Sequence, residues 1–245
     1  MRLLPATLLS GAALLAGCGG GNEREVSPPP APAPSTATQE AADELDGCAT
    51  SQDGEIVQLS VEGEMLDGIV VGDGRAGAVL AHQRGSNLCE WLPYAKRLAG
   101  RGYSALAFDF SNSVSLADSV TAAAEELRRR GAQRIVLAGA SMGGTASLVA
   151  ARSVRGVVGV VSLSGPELYS DLDAGAAVRS LEVPVLLFAA RGDGHFPADA
   201  RRLYRQAQSD DKELVLLPGA AHGTALLSAG RARGLFESFV ADQTG

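Results

Sequence analysis

The sequence predicts a three-layer α/β/α sandwich built on a mostly parallel sheet. Three observations carry this expectation. Short, wholly apolar runs recur along the chain, as in strands buried on both faces. Between them lie stretches whose apolar residues follow helical spacing. Glycine-rich turns separate the two kinds of segment. Strands alternating with helices in this way make a parallel sheet covered on both sides.

Taken in order, Ile56–Leu59 and Leu66–Val70 alternate like an opening hairpin. Ala76–Ala81 is a short buried strand that runs into His82-Gln83-Arg84-Gly85. A helix is expected over Trp91–Ala99, with Trp91, Tyr94, Ala95 and Leu98 on one face, stopped by Gly100-Arg101-Gly102. Tyr103–Phe108 is the next strand. Leu116–Arg130 is a helix with Leu116, Val120, Ala124 and Leu127 as its stripe and basic residues in its last turn. Arg134–Ala138 is a strand, and Thr145–Ala151 belongs to the helix after it. Gly156–Leu163, Val183–Ala189 and Glu213–Leu217 read as three further strands, with helices at Ala198–Gln206 and Ala229–Asp242.

The residues before this unit are of a different kind. Arg2 precedes an apolar stretch from Leu3 to Leu15, too short to span a bilayer, which reads as a signal peptide over 1–17. It ends in Leu15-Ala16-Gly17-Cys18, which resembles the lipobox of bacterial lipoproteins. That resemblance implies cleavage before Cys18, a lipid on its thiol, and a protein exported to a bacterial cell envelope and held at a membrane. A secretory signal with an incidental cysteine is the other reading. Residues 18–52 form a tether, with Ser-Pro-Pro-Pro-Ala-Pro-Ala-Pro favouring extended polyproline II. The folded unit is expected over 53–245.

Composition excludes several classes. Hydrophobic residues at 46% and charged residues at 20% suffice for a core, so wholesale disorder is ruled out. A net charge of −7 removes a nucleic-acid reader that works by neutralising phosphates. Six acids against one arginine between Cys18 and Gln52 put most of that charge in the tether. Three cysteines and three histidines are too few for a zinc-finger array. With Cys18 lipidated, Cys48 and Cys89 form an even pair, and in an exported domain such a pair reads as a disulfide. Two buried free thiols are the alternative.

Chemistry enters at Gly139-Ala140-Ser141-Met142-Gly143, a G-x-S-x-G pattern between an apolar strand and a small-residue helix. So tight a strand-to-helix turn needs small flanking residues, and it lifts the serine hydroxyl above the sheet. A lone serine needs a base, and the base needs an orienting acid. Of the histidines, His82 precedes the serine and follows the wrong strand. His195 stands two residues from the best acid. His222, in the loop after Leu214–Leu217, satisfies both order and position. Asp193, at the exit of Val183–Phe188, is the first candidate acid; Asp199 is the second, and Asp171 or Asp173 the third.

These motifs together resemble the α/β-hydrolase fold family, over about 63–241. Gly139–Gly143 looks like its nucleophile elbow, Asp193-Gly194-His195-Phe196-Pro197 like its acid loop, and Pro218–Gly223 like its base loop. Tyr103–Asp109 resembles a further strand motif of the family. The resemblance implies a serine hydrolase of carboxylesterase type, with Ser141, Asp193 and His222 as triad and a small acyl ester as substrate. It further implies an oxyanion hole from the amide of Met142 and that of Gln83 or Arg84, although Gln83 replaces the glycine usual there. Only 18 residues separate Ser164 from Val183, too few for a cap of several helices, so the cap is minimal or absent. Arg84, Trp91 and Tyr94 are candidates for the mouth of an open site, although a tryptophan on a helix stripe is more often a core residue. No metal or organic cofactor and no nucleic-acid partner is implied. Two other classes stay open: a peptidase or cofactor-free perhydrolase on the same triad, and a non-catalytic lipid-anchored binding protein.

Overall fold

The computed structural model describes residues 44–244. The signal peptide over 1–17, lipidation at Cys18 and most of the tether therefore lie outside the described residues. The chain opens with a small antiparallel ribbon of β1 (Glu44–Leu45) and β2 (Ala49–Thr50). A long hairpin of β3 (Glu55–Val61) and β4 (Glu64–Val71) follows, then β5 (Ala76–Ala81). A 3-10 turn at Leu88–Glu90 leads into α1 (Leu92–Ala99), then β6 (Ser104–Phe108) and α2 (Leu116–Arg129). The elements β7 (Arg134–Ala140), α3 (Met142–Ala150) and β8 (Val157–Leu163) come next. After β8 a two-strand ribbon, β9 (Leu168–Tyr169) and β10 (Leu172–Asp173), precedes the short α4 (Ala174–Val178). The chain closes with β11 (Val185–Ala190), α5 (Phe196–Gln206), β12 (Lys212–Leu217), a 3-10 stretch at Gly223–Ser228 and α6 (Gly230–Thr244).

Eight strands form the main sheet in the order β12-β11-β8-β7-β5-β6-β4-β3. Only β4 runs against its neighbours, so the sheet is mostly parallel as expected. Alternate residues of each buried strand feed two separate cores. Val79, Leu106, Leu137, Val160 and Leu187 point to the side covered by α2, α3, α4 and α5. Leu80, Ala107, Ala138, Val161 and Phe188 point to the side covered by α1 and α6. This two-sided burial is why the strands read as unbroken apolar runs.

The helix ends follow local chemistry. Ser115 caps α2, its hydroxyl accepting from the amide of Asp118, while Arg128 and Arg129 sit in the last turn. Asp173 caps α4 in the same way through the amide of Ala176. Between β8 and β11 there is only the short ribbon and one five-residue helix, which leaves the carboxyl edge of the sheet uncovered by a helical cap.

The expected tether boundary at Gln52 differs from what folds. Residues 44–50 already pack on the domain: Ala49 is fully buried, and Leu45 and Cys48 lie against the core on the α1 side. The reason is covalent as well as apolar. Cys48 is bonded to Cys89, with Cα atoms 5.9 Å apart, so the disulfide expected from the even cysteine pair is present.

Candidate active site

Five neighbouring parallel strands end at one edge of the sheet. Register aligns Ala81 with Gly139, Ala140 with Leu163, Leu163 with Phe188, and Ala190 with Leu217. The loops after β5, β7, β8, β11 and β12 therefore converge, as ligand-binding loops do at the carboxyl edge of open α/β sheets.

Ser141 stands between β7 and α3 with φ +48° and ψ −115°, a conformation that side chains rarely adopt. Its amide donates to the Leu163 carbonyl at 2.7 Å, which fixes the turn. The flanking glycines are required by space. A Cβ at Gly139 would overlap the Gly143 carbonyl, and one at Gly143 would overlap the Ala81 carbonyl. The serine is therefore held at the amino end of α3, where the amide of Met142 has no intrahelical partner.

His222, in the loop after β12, pairs its Nδ1 with Oδ2 of Asp193 at 2.8 Å. That carboxylate oxygen also accepts the hydroxyl of Ser164 at 2.7 Å. Ser164 follows β8, and it too has a positive φ of +53°. Its role was not visible in the sequence, where it marked only the end of a strand. With Nδ1 committed to Asp193, Nε2 is the nitrogen left to take a proton from a substrate or a nucleophile. Ser141 and His222 line one cleft of about 310 Å³, together with Arg84, Pro166, Leu168, Tyr169, His195 and Phe196. Tyr169 and Met142 also border a second, more polar cleft of about 460 Å³, walled by residues 111–116 and Ser170-Asp171.

The other acid candidates are engaged elsewhere. Asp199 is buried on α5, paired with Arg202 and lying 3.5 Å from Nε2 of His195. Asp173 caps α4, and Asp171 borders the second cleft. His195 is exposed at the rim. His82 is buried with both ring nitrogens occupied: the amide of Phe110 donates to Nε2 at 3.0 Å, and Nδ1 donates to the Gln83 carbonyl at 2.8 Å. Burial holds its pKa below the usual imidazole value, in keeping with a neutral ring.

The loop after β5 separates the two candidate oxyanion donors. The amide of Gln83 donates to Oε1 of Glu90 at 2.8 Å and is spent. Among the described residues, the amide of Arg84 has no hydrogen-bond partner. The peptide between them is planar, so its C=O and N–H point in opposite directions. His82 and the amide of Ser86, which both hold the Gln83 carbonyl, thereby set the direction of the Arg84 amide. The Arg84 side chain is exposed at the cleft.

Trp91 and Tyr94 need correcting. Trp91 is fully buried, packed between Tyr94 and Phe236 with ring centroids at 5.7 and 6.0 Å, because the stripe of α1 faces the sheet. Tyr94 sits behind the base loop, its hydroxyl donating to the Thr224 carbonyl at 3.4 Å. Neither lines the cleft. Glu90, absent from the sequence-level candidates, accepts bonds from two of the converging loops; its burial pushes the carboxyl above the usual range.

Fold and site together define an α/β-hydrolase. The dienelactone hydrolase family model matches residues 110–232, half of the chain and a span that includes Ser141, Asp193 and His222. The chain belongs to the dienelactone hydrolase family and is an esterase-type hydrolase. Among solved structures it is similar to a dienelactone hydrolase of Anabaena variabilis, at 23% identity and a TM-score of 0.64, covering 77% of this chain and 95% of that one. It is also similar to an esterase of Pyrococcus furiosus, at 16% identity and a TM-score of 0.68, covering 82% and 96%. A monoacylglycerol lipase of Paleococcus ferrophilus matches at 19% identity and a TM-score of 0.61, covering 72% and 98%. Identities this low speak for the fold alone. No curated protein matches the chain.

Proposed function

We propose that this chain is a lipid-anchored serine carboxylesterase of a bacterial cell envelope, working through Ser141, His222 and Asp193. The observation that carries the reading is the 2.8 Å pair of His222 and Asp193 in a cleft that also holds Ser141. Ser141 Oγ attacks the ester carbonyl carbon while Nε2 of His222 takes its proton. Asp193, itself held by Ser164, keeps the imidazole in the required tautomer and stabilises the imidazolium. The amides of Met142 and Arg84 receive the negative charge on the carbonyl oxygen. As the tetrahedral species collapses, the alcohol leaves with the proton from His222. Water then adds to the acyl-enzyme with His222 as base, releasing the acid and restoring the serine.

The uncovered carboxyl edge favours small or exposed acyl groups over long buried chains. Leu15-Ala16-Gly17-Cys18 supports a lipid on Cys18 and attachment to a membrane. A fluorophosphonate probe tests the reading directly: wild type should label covalently and Ser141→Ala should not. Hydrolysis of p-nitrophenyl esters should be fastest at short chain lengths. Wild-type protein that takes up no Ser141-dependent label would overturn the mechanism.

A further inference from the structure

We infer that Glu90 is a positioning residue that locks the loop presenting the oxyanion donor to the loop carrying the base. The inference rests on the esterase reading above and says how that site is held together. The two loops have no direct strand contact, since β5 and β12 are separated in the sheet by β7, β8 and β11. One carboxylate spans the gap. Oε1 of Glu90 accepts the amide of Gln83 at 2.8 Å, and Oε2 accepts the hydroxyl of Thr224 at 3.1 Å. Gln83 adjoins Arg84, and Thr224 lies two residues beyond His222.

The support under Glu90 is rigid. The amide of Leu88 donates to Oδ1 of Asp109 at 2.7 Å, and that of Cys89 donates to Oδ1 of Asn87 at 3.2 Å. The disulfide then fixes the middle of the turn to Cys48. Tyr94 grips Thr224 from a second side, through its carbonyl. Around Arg84, two successive peptide planes are fixed: Glu90 holds the Gln83 amide, and His82 holds the Gln83 carbonyl. Burial raises the pKa of Glu90, while the bonds from Gln83, Ser86 and Thr224 oppose the shift by favouring the carboxylate. A half-buried carboxylate that met no such donors would cost stability with no return. Here charge-assisted bonds hold two loops at the spacing that one transition state requires. Glu90 does not line the cleft, so it acts through the groups it holds.

The test is a double-mutant cycle of Glu90→Ala and Thr224→Val on p-nitrophenyl acetate, with rates normalised to sites titrated by fluorophosphonate. Each single change should lower kcat about 10- to 100-fold with little change in KM. The double variant should be no slower than Glu90→Ala alone, because both remove one connection. Glu90→Gln, which keeps an acceptor for Gln83 and a partner for Thr224, should recover most of the loss. A purely structural role would lower Tm and the number of titratable sites, leave kcat per site unchanged and give additive effects; that outcome overturns the inference. Amide hydrogen exchange separates it from the esterase reading. Glu90→Ala should speed exchange at Gln83 whether or not Ser141 labels, and an unchanged rate there refutes the lock. Failure of labelling with faster exchange would remove the esterase and leave the lock standing.

Discussion

The two edges of the sheet use polar side chains for opposite ends. At the amino edge, charges are paired with one another. Arg130 joins Glu55 and Glu126 at 2.7 and 2.5 Å, and the buried Glu237 of α6 takes both Arg97 and Arg101 at 2.6 and 2.7 Å. At the carboxyl edge, apart from Arg202 with Glu167 and Asp199, hydrogen bonds run inward from loop to loop and stop at Ser141, His222 and two amides with no partner among the described residues. Pairing at one edge satisfies these groups and serves stability. On the esterase reading proposed above, the incomplete pairing at the other leaves donors and an acceptor for a substrate. The same sheet thus separates what holds the fold from what performs the chemistry.

Substitutions at each edge should affect different measurements. The largest effect belongs to Asp193→Asn, which keeps the side chain's shape but permits the wrong imidazole tautomer. It should lower kcat by about 10³- to 10⁴-fold with Tm little changed. Next comes the covalent staple. Cys48→Ser with Cys89→Ser opens a loop with a sequence separation of 41 residues. Denaturant unfolding should show a loss of about 4 kcal/mol on the chain-entropy estimate. Glu237→Ala, at the amino edge, should lose about 1–3 kcal/mol, with kcat per titrated site unchanged. If that variant loses activity at full occupancy of folded protein, the division between the edges fails.

A pH dependence separates the carboxyl edge from the amino edge in a further way. Burial, followed by a hydrogen bond and repulsion from Asp46, pushes the carboxyl of Asp109 from 3.8 up to about 7. The folded state holds this proton more tightly than the unfolded state. Its contribution to stability is full below about pH 4 and is lost as pH rises through about 7. His82, close by at 3.9 Å and shifted downward, works in the opposite direction, so the comparison needs a variant. Asp109→Asn mimics the protonated form. Its Tm advantage over wild type should grow from pH 4 to pH 7 and then level off.

Much of the fold was legible in the sequence because two-sided burial writes itself as apolar runs. The strands around Leu80, Leu106, Leu137, Val161 and Leu187 all lie where those runs fall. The elbow was legible for a steric reason: only glycine fits at 139 and 143. Asp193 and His222 were marked by chain order after their strands. Ser164 and Glu90 carried no such mark, since each matters only through neighbours brought close by folding, across 29 and 134 residues. Trp91 could be read two ways, core or cleft mouth, because an amphipathic stripe says that a face is buried without saying under what; the structure gives the core. The ribbon at 44–50 was hidden among the acidic residues of the tether, and Cys48 was its only signal.

The place where the disulfide enters the domain has a mechanical consequence. The main sheet begins with β3, an edge strand that a pull from the amino terminus would otherwise peel away residue by residue. Force arriving ahead of Cys48 is diverted first through a covalent bond into the turn before α1, in the middle of the chain's own core. The edge strand is shielded from tension, and the load is delivered beside the loops that converge on the site.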